Sequence, residues 1–119
     1  MPTDFHEIIR TQIKICSEQS VKHESAGPDS KMGLAVTTEG RLPANGLRHQ
    51  PTETTTGWYV WFGEEFSSRT EFFEPICTSH FYEREPVLSQ YLGLPSGYRF
   101  LIAVDHADVW FDPTLLKVD

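Results

Sequence analysis

Apolar and polar positions along this chain fall into helical spacing at the start and strand-like runs later. Phe5, Ile8, Ile9, Gln12, Ile13 and Cys16 recur at helical intervals, with Glu7, Arg10, Lys14 and Glu18 mostly opposite. This predicts a helix capped by Thr3 or Asp4, running to about Gln19 and packed on a sheet. A polar connector spans residues 20–30, and Met32–Thr37 reads as a short strand. The segment Thr38–Thr56 reads as a long polar loop, because it holds Pro43, the turn dipeptide Asn45-Gly46, Pro51 and a threonine run. Trp58–Phe62, set between Gly57 and Gly63, is the clearest strand, since aromatic and β-branched residues suit a pleated, half-buried surface. A short helix is expected over Phe66–Phe73, then an extended piece at Pro75–Ser79.

Pro86 suits the first position of a second helix, with Val87, Leu88, Tyr91 and Leu92 on one face, Gly93 at its end and Pro95 beyond. Tyr98–Val104 and Val109–Phe111 are strands joined by a tight turn at Asp105-His106, hence a hairpin. Asp112-Pro113 starts a last turn carrying Leu115 and Leu116. The order helix, strand, strand, helix, strand, strand is α+β. It predicts a small, mostly antiparallel sheet of four to five strands, with the N-terminal helix and a second helix packed on it. Residues 1–119 read as a single domain, 1–30 supplying helix and linker and 31–119 the sheet core. Trp61, Phe100, Ile102 and Leu88 are expected to be buried together.

Charge changes this picture. Residues 1–56 carry seven acids and six bases, whereas residues 57–119 carry ten acids and four bases. The net charge of −7 therefore sits almost wholly in the second half. An acidic surface repels phosphate, which argues against nucleic acid and for a basic protein partner. Cys16 and Cys77 are too few for a disulfide scaffold and read as free thiols. No apolar run is long enough to span a bilayer, and no secretory segment is evident, so a soluble cytoplasmic protein is expected.

Catalytic and metal signatures are weak. The five histidines lie at no helical metal spacing from one another. No Gly-x-Ser-x-Gly and no phosphate-cradling glycine loop occurs. Glu64-Glu65 would point to opposite faces of a strand, so a solvated strand end or a partner contact fits them better than an acid/base pair. Acids do follow both aromatic strands: Glu64 and Glu65 after one, Asp105, Asp108 and Asp112 around the other. Trp58 and Trp110 lie on those strands, and tryptophan beside carboxylates is the composition of a binding hot spot for a cationic partner.

From Lys31 to Leu116 the chain resembles the immunity-thirty-three-like proteins, small bacterial immunity proteins of polymorphic toxin systems. The matching pieces are Met32-Gly33-Leu34-Ala35-Val36, Asn45-Gly46-Leu47-Arg48-His49, Thr56 through Glu65, Tyr91-Leu92-Gly93-Leu94-Pro95, Gly97 through Ala103, and Asp108-Val109-Trp110-Phe111-Asp112. The resemblance implies a non-enzymatic protein that binds and neutralises a toxin, with no cofactor. The preferred reading is therefore an immunity protein meeting a basic toxin through Trp58, Glu64, Glu65, Asp105, Asp108, Trp110 and Asp112. Two alternatives stand beside it: a small enzyme with Glu64, Glu65, His80 and Asp112 in a cleft, or a structural or regulatory module without a toxin.

Overall fold

A computed structural model describes residues 5–64 and 72–116. Helix α1 (Phe5–Glu18) buries Ile8, Gln12 and Cys16, with Phe5 and Ile15 partly buried beside them. Ile9 and Ile13, expected on that face, are exposed: the buried stripe runs along positions 8, 12 and 16. The capping positions Thr3 and Asp4 lie outside the described residues.

Six strands follow: β1 (Lys31–Leu34), β2 (Ala44–Arg48), β3 (Thr55–Phe62), β4 (Glu74–Cys77), β5 (Tyr98–Ala103) and β6 (His106–Phe111). Two short helices, α2 (Thr78–Arg84) and α3 (Pro86–Ser89), separate β4 from β5. The strands form one sheet in the order β4-β1-β3-β2-β5-β6. Only β1 and β3 pair in parallel; the other neighbours are antiparallel. The fold is α+β as expected, with one strand more than the four to five predicted.

The extra strand is β2, which lies inside the segment read as a loop. Every one of its residues is buried. Asn45-Gly46 is no turn here. Gly46 lies in mid-strand under the Phe100 ring, where an added Cβ would stand 2.2 Å from a ring carbon. Asn45 donates its amide to the carbonyls of Pro43 and Gly63 at 3.2 and 2.9 Å. Helix α2 was also missed; Thr78–Arg84 offers only Phe81 and Tyr82 as apolar signal. Of the helix expected at Phe66–Phe73, only Phe72 and Phe73 fall among the described residues.

Side chains alternate across the sheet, and this divides the core in two. Trp58, Val60 and Phe62 of β3 face the helices, packing with Leu34, Ala44, Phe81, Leu88, Leu92 and Phe100. Trp61 points the other way, into a smaller cluster with Ala35 and Leu47 flanked by Phe72, Phe73 and Leu115. Trp61 is thus buried, but not with Phe100, Ile102 and Leu88 as expected, because it sits at odd parity on β3. Cys16 and Cys77 are free thiols, the first buried and the second partly so.

Candidate partner-binding surface

The β5–β6 hairpin is the least covered part of the sheet. Its two-residue turn, Val104-Asp105, brings Ala103 opposite His106 and Arg99 opposite Trp110. Apart from the half-buried Val109, every residue of β6 is exposed. Two rows result. Ala107, Val109 and Phe111 face the helix side, where Phe111 leans on Tyr98 at 5.5 Å between ring centroids. His106, Asp108 and Trp110 face the opposite side, as do Arg99 and Leu101 of β5.

The open row carries its own electrostatics. The Arg99 guanidinium lies 5.5 Å from the centre of the Trp110 ring and 3.2 Å from an Asp112 carboxylate oxygen. Hydrogen bonds from the Thr114 hydroxyl, then from Arg99 and the Thr114 backbone N–H, hold Asp112 below its ordinary pKa, against a smaller opposing desolvation. His106 Nε2 sits 2.7 Å from Asp108. Trp110 is 40% exposed, its ring presented to solvent between Asp108 and Asp112. A half-covered indole rimmed by carboxylates can cover a cationic or apolar side chain and add cation–π attraction.

Four of the seven expected site residues lie on one hairpin: Asp108 and Trp110 on β6, with Asp105 and Asp112 beyond its two ends. Glu64 does not join them through neighbouring strands, because β2 and β5 stand between β3 and β6. It does lie at the same end of the sheet as Asp105, since Phe62, Ala44, Ile102 and Ala107 form one row across it. Glu65 lies outside the described residues. Trp58 is corrected: it is completely buried, because β3 is third of six strands and its even positions face the helices. Its indole N–H donates to the Leu92 carbonyl at 2.9 Å, so its polar edge is committed inward. The residues of the alternative cleft are separated as well. Asp112 closes the end of the sheet away from Glu64, and His80 is exposed on α2. Among the described residues, no three His, Cys, Asp or Glu side chains are placed to hold a metal ion. No helix among them is long and apolar enough to cross a membrane.

The Imm33-like domain description matches residues 11–112. The chain belongs to the Imm33-like family. No curated protein and no solved structure matches it. The match covers α1 from Thr11 onward and every strand, so both the buried centre and the open hairpin lie within the Imm33-like domain.

Sequence reasoning missed the residue that ties this Imm33-like domain together. Arg48, at the end of β2, is 1% exposed. Its guanidinium donates to the carbonyls of Thr56, Glu24, Leu92, Leu94 and Ser25 at 2.8–3.3 Å. Burial pushes its pKa down, while Glu24, 3.4 Å away, pulls it back up. Glu24 in turn accepts from the hydroxyl and backbone N–H of Ser96. Arg48 thus joins the connector after α1 to the turn that leads into β5, and so sets where the hairpin begins. The only local signal for it was a lone arginine after Leu47 in a stretch rich in turn residues.

Proposed function

We propose that this chain is a non-enzymatic immunity protein of a bacterial polymorphic toxin system, acting in the cytoplasm, and that it neutralises a basic toxin domain by binding it at the β5–β6 hairpin. Residues 1–119 would act as one immunity unit. Family membership supports the class of function. The observation that carries the choice of surface is Trp110, half exposed on an edge strand between Asp108 and Asp112. Asp105, Asp108 and Asp112 would steer a cationic toxin in, and Trp110 would give up its exposed ring to the contact. Glu64 would extend the acidic rim at the end of the sheet it shares with Asp105. Trp58 takes no part in contact; it supports the sheet from within.

The test begins with the neighbouring reading frame, which should encode a basic toxin domain to be co-expressed with this chain. A stable complex, with toxin activity suppressed and this chain free of activity on the toxin's substrate, is the expected result. A toxin that remains fully active at a tenfold excess of this protein contradicts the reading.

A further inference from the structure

The two edges of the sheet differ in what they leave unpaired. In an antiparallel ladder, residues alternately turn their N–H and C=O toward the neighbour and away from it. The Thr78 N–H donates to the Ser30 carbonyl at 2.9 Å, which fixes that alternation on β4. The positions of β4 that face outward are then 75 and 77. Pro75 has no N–H, so this edge offers a single outward donor, at Cys77, before α2 begins.

On β6 the Asp112 N–H donates to the Gly97 carbonyl at 2.7 Å. Counting back along the register, residues 110, 108 and 106 turn to β5, whereas Ala107, Val109 and Phe111 turn their backbone groups outward. Three consecutive outward residues, none of them proline, form an unused half-ladder. No bulge interrupts it, and no charged side chain on the Ala107-Val109-Phe111 row shields it.

We infer that β6 is the docking edge itself: the toxin contributes an extended segment that adds to the sheet as a seventh strand beside β6. This rests on the immunity reading and makes its contact specific. The side chains of β6 state what the segment should be. One face of the edge is apolar, with Ala107, Val109 and Phe111; the other is acidic and aromatic, with Asp108 and Trp110, and Asp105 and Asp112 at its ends. The matching segment alternates basic and apolar residues, bases over Asp108 and apolar side chains along Val109 and Phe111. A second copy of this chain fits less well. Each copy carries a net charge of −7, and a two-fold pairing centred on Val109 would set both Asp108 carboxylates diagonally across the new seam.

The direct test uses a ten-residue peptide of alternating lysine and valine, titrated into isotope-labelled protein. The expected result is slowed exchange of the Ala107, Val109 and Phe111 amides, those of His106, Asp108 and Trp110 being protected already in the free protein. Ala107→Pro removes one outward N–H and leaves the β5 ladder intact; it should weaken peptide binding at least about tenfold. Ala107→Val, which keeps the N–H, should not. Should the proline variant unfold, Asp108→Lys keeps every backbone donor and should weaken the peptide severalfold while leaving an uncharged Thr–Val peptide unaffected. In the toxin complex the same three amides should gain protection. Peptide binding unchanged by Ala107→Pro, or protection that appears elsewhere, overturns strand addition. A toxin complex that forms but leaves these three amides unprotected overturns it while the immunity reading stands. If the peptide binds the edge but no toxin does, the immunity reading falls, and with it the assignment of the strand's donor. A concentration-dependent dimer protecting the same amides in the protein alone would give the edge to a second copy and overturn the inference.

Discussion

Among the described residues, two arginine–tryptophan pairs sit in opposite surroundings. Arg48 lies 5.7 Å from the Trp58 ring centre, and Arg99 lies 5.5 Å from that of Trp110. The first pair is buried in the middle of the sheet against the connector after α1 and the turn after α3, every guanidinium nitrogen bonded to backbone carbonyl. The second stands on the outermost hairpin, with Trp110 40% exposed and the buried Arg99 Nε donor without a hydrogen-bond partner. The contact geometry is nearly the same, so the difference lies in strand order. A pair at the centre of the sheet is surrounded and becomes a structural joint. A pair at the edge keeps a free side and can be spent on a partner.

Substitutions in the two pairs should therefore separate stability from binding. The largest effect belongs to Arg48→Ala, which leaves several buried carbonyls unpaired; about 3–5 kcal/mol of stability should be lost, read by chemical denaturation. Trp58→Ala should cost about 3–5 kcal/mol through the cavity and the lost bond to Leu92. Arg99→Ala and Trp110→Ala should each change stability by less than about 1 kcal/mol, since both side chains are partly solvated. A Trp110→Ala variant as unstable as Trp58→Ala would erase the distinction between the pairs.

The acidic limb is sharpened by pH. Burial, and then the Arg48 charge, lower the pKa of His23, whose Nε2 lies 2.9 Å from Gln12 Oε1. A histidine depressed on folding binds its proton more readily when unfolded. Its contribution is present above about pH 6.5 and is lost as pH falls through the folded value. Melting temperature should fall between pH 7 and 5, and His23→Gln should flatten that slope. At the groove of about 290 Å³ between α3, Leu42 and Ile102, Glu85 shows the reverse sign. Burial first, then hydrogen bonding and repulsion from Glu39, raise its pKa. Its stabilising effect is complete below about pH 4.5 and declines as pH rises through the folded value. Glu85→Gln should thus raise the melting temperature at pH 7 by about 2 °C, a gain that vanishes in acid.

Much of the fold is written in local pattern, and the parts that are not share one cause. Long periodic runs such as Phe5–Glu18 and Trp58–Phe62 declare themselves, because many residues repeat one signal. The two-residue turn was placed one position late but the hairpin was legible from two apolar runs around it. Strand β2 was invisible because its sequence, Ala-Asn-Gly-Leu-Arg, holds no β-branched or aromatic residue; it is a strand because β3 and β5 lie on either side. The same reason separates Trp58 from Trp110. Each lies in an apolar strand near carboxylates, and no local feature says which strand ends at the edge. That Asp105, Asp108 and Asp112 share one hairpin was legible locally, whereas Glu64 could be related to them only through the register of four strands.

Whether the Arg99–Trp110 hairpin or another surface meets the partner is decided by surface-plasmon kinetics with a toxin domain that this protein is found to neutralise. The Asp105→Lys/Asp108→Lys double variant should associate more slowly and lose most of the salt dependence of its association rate. Trp110→Ala should associate normally and dissociate at least about tenfold faster, with its melting temperature nearly unchanged. Wild-type kinetics in both variants, with the toxin still bound and neutralised, would contradict the hairpin site and place the interface on another surface.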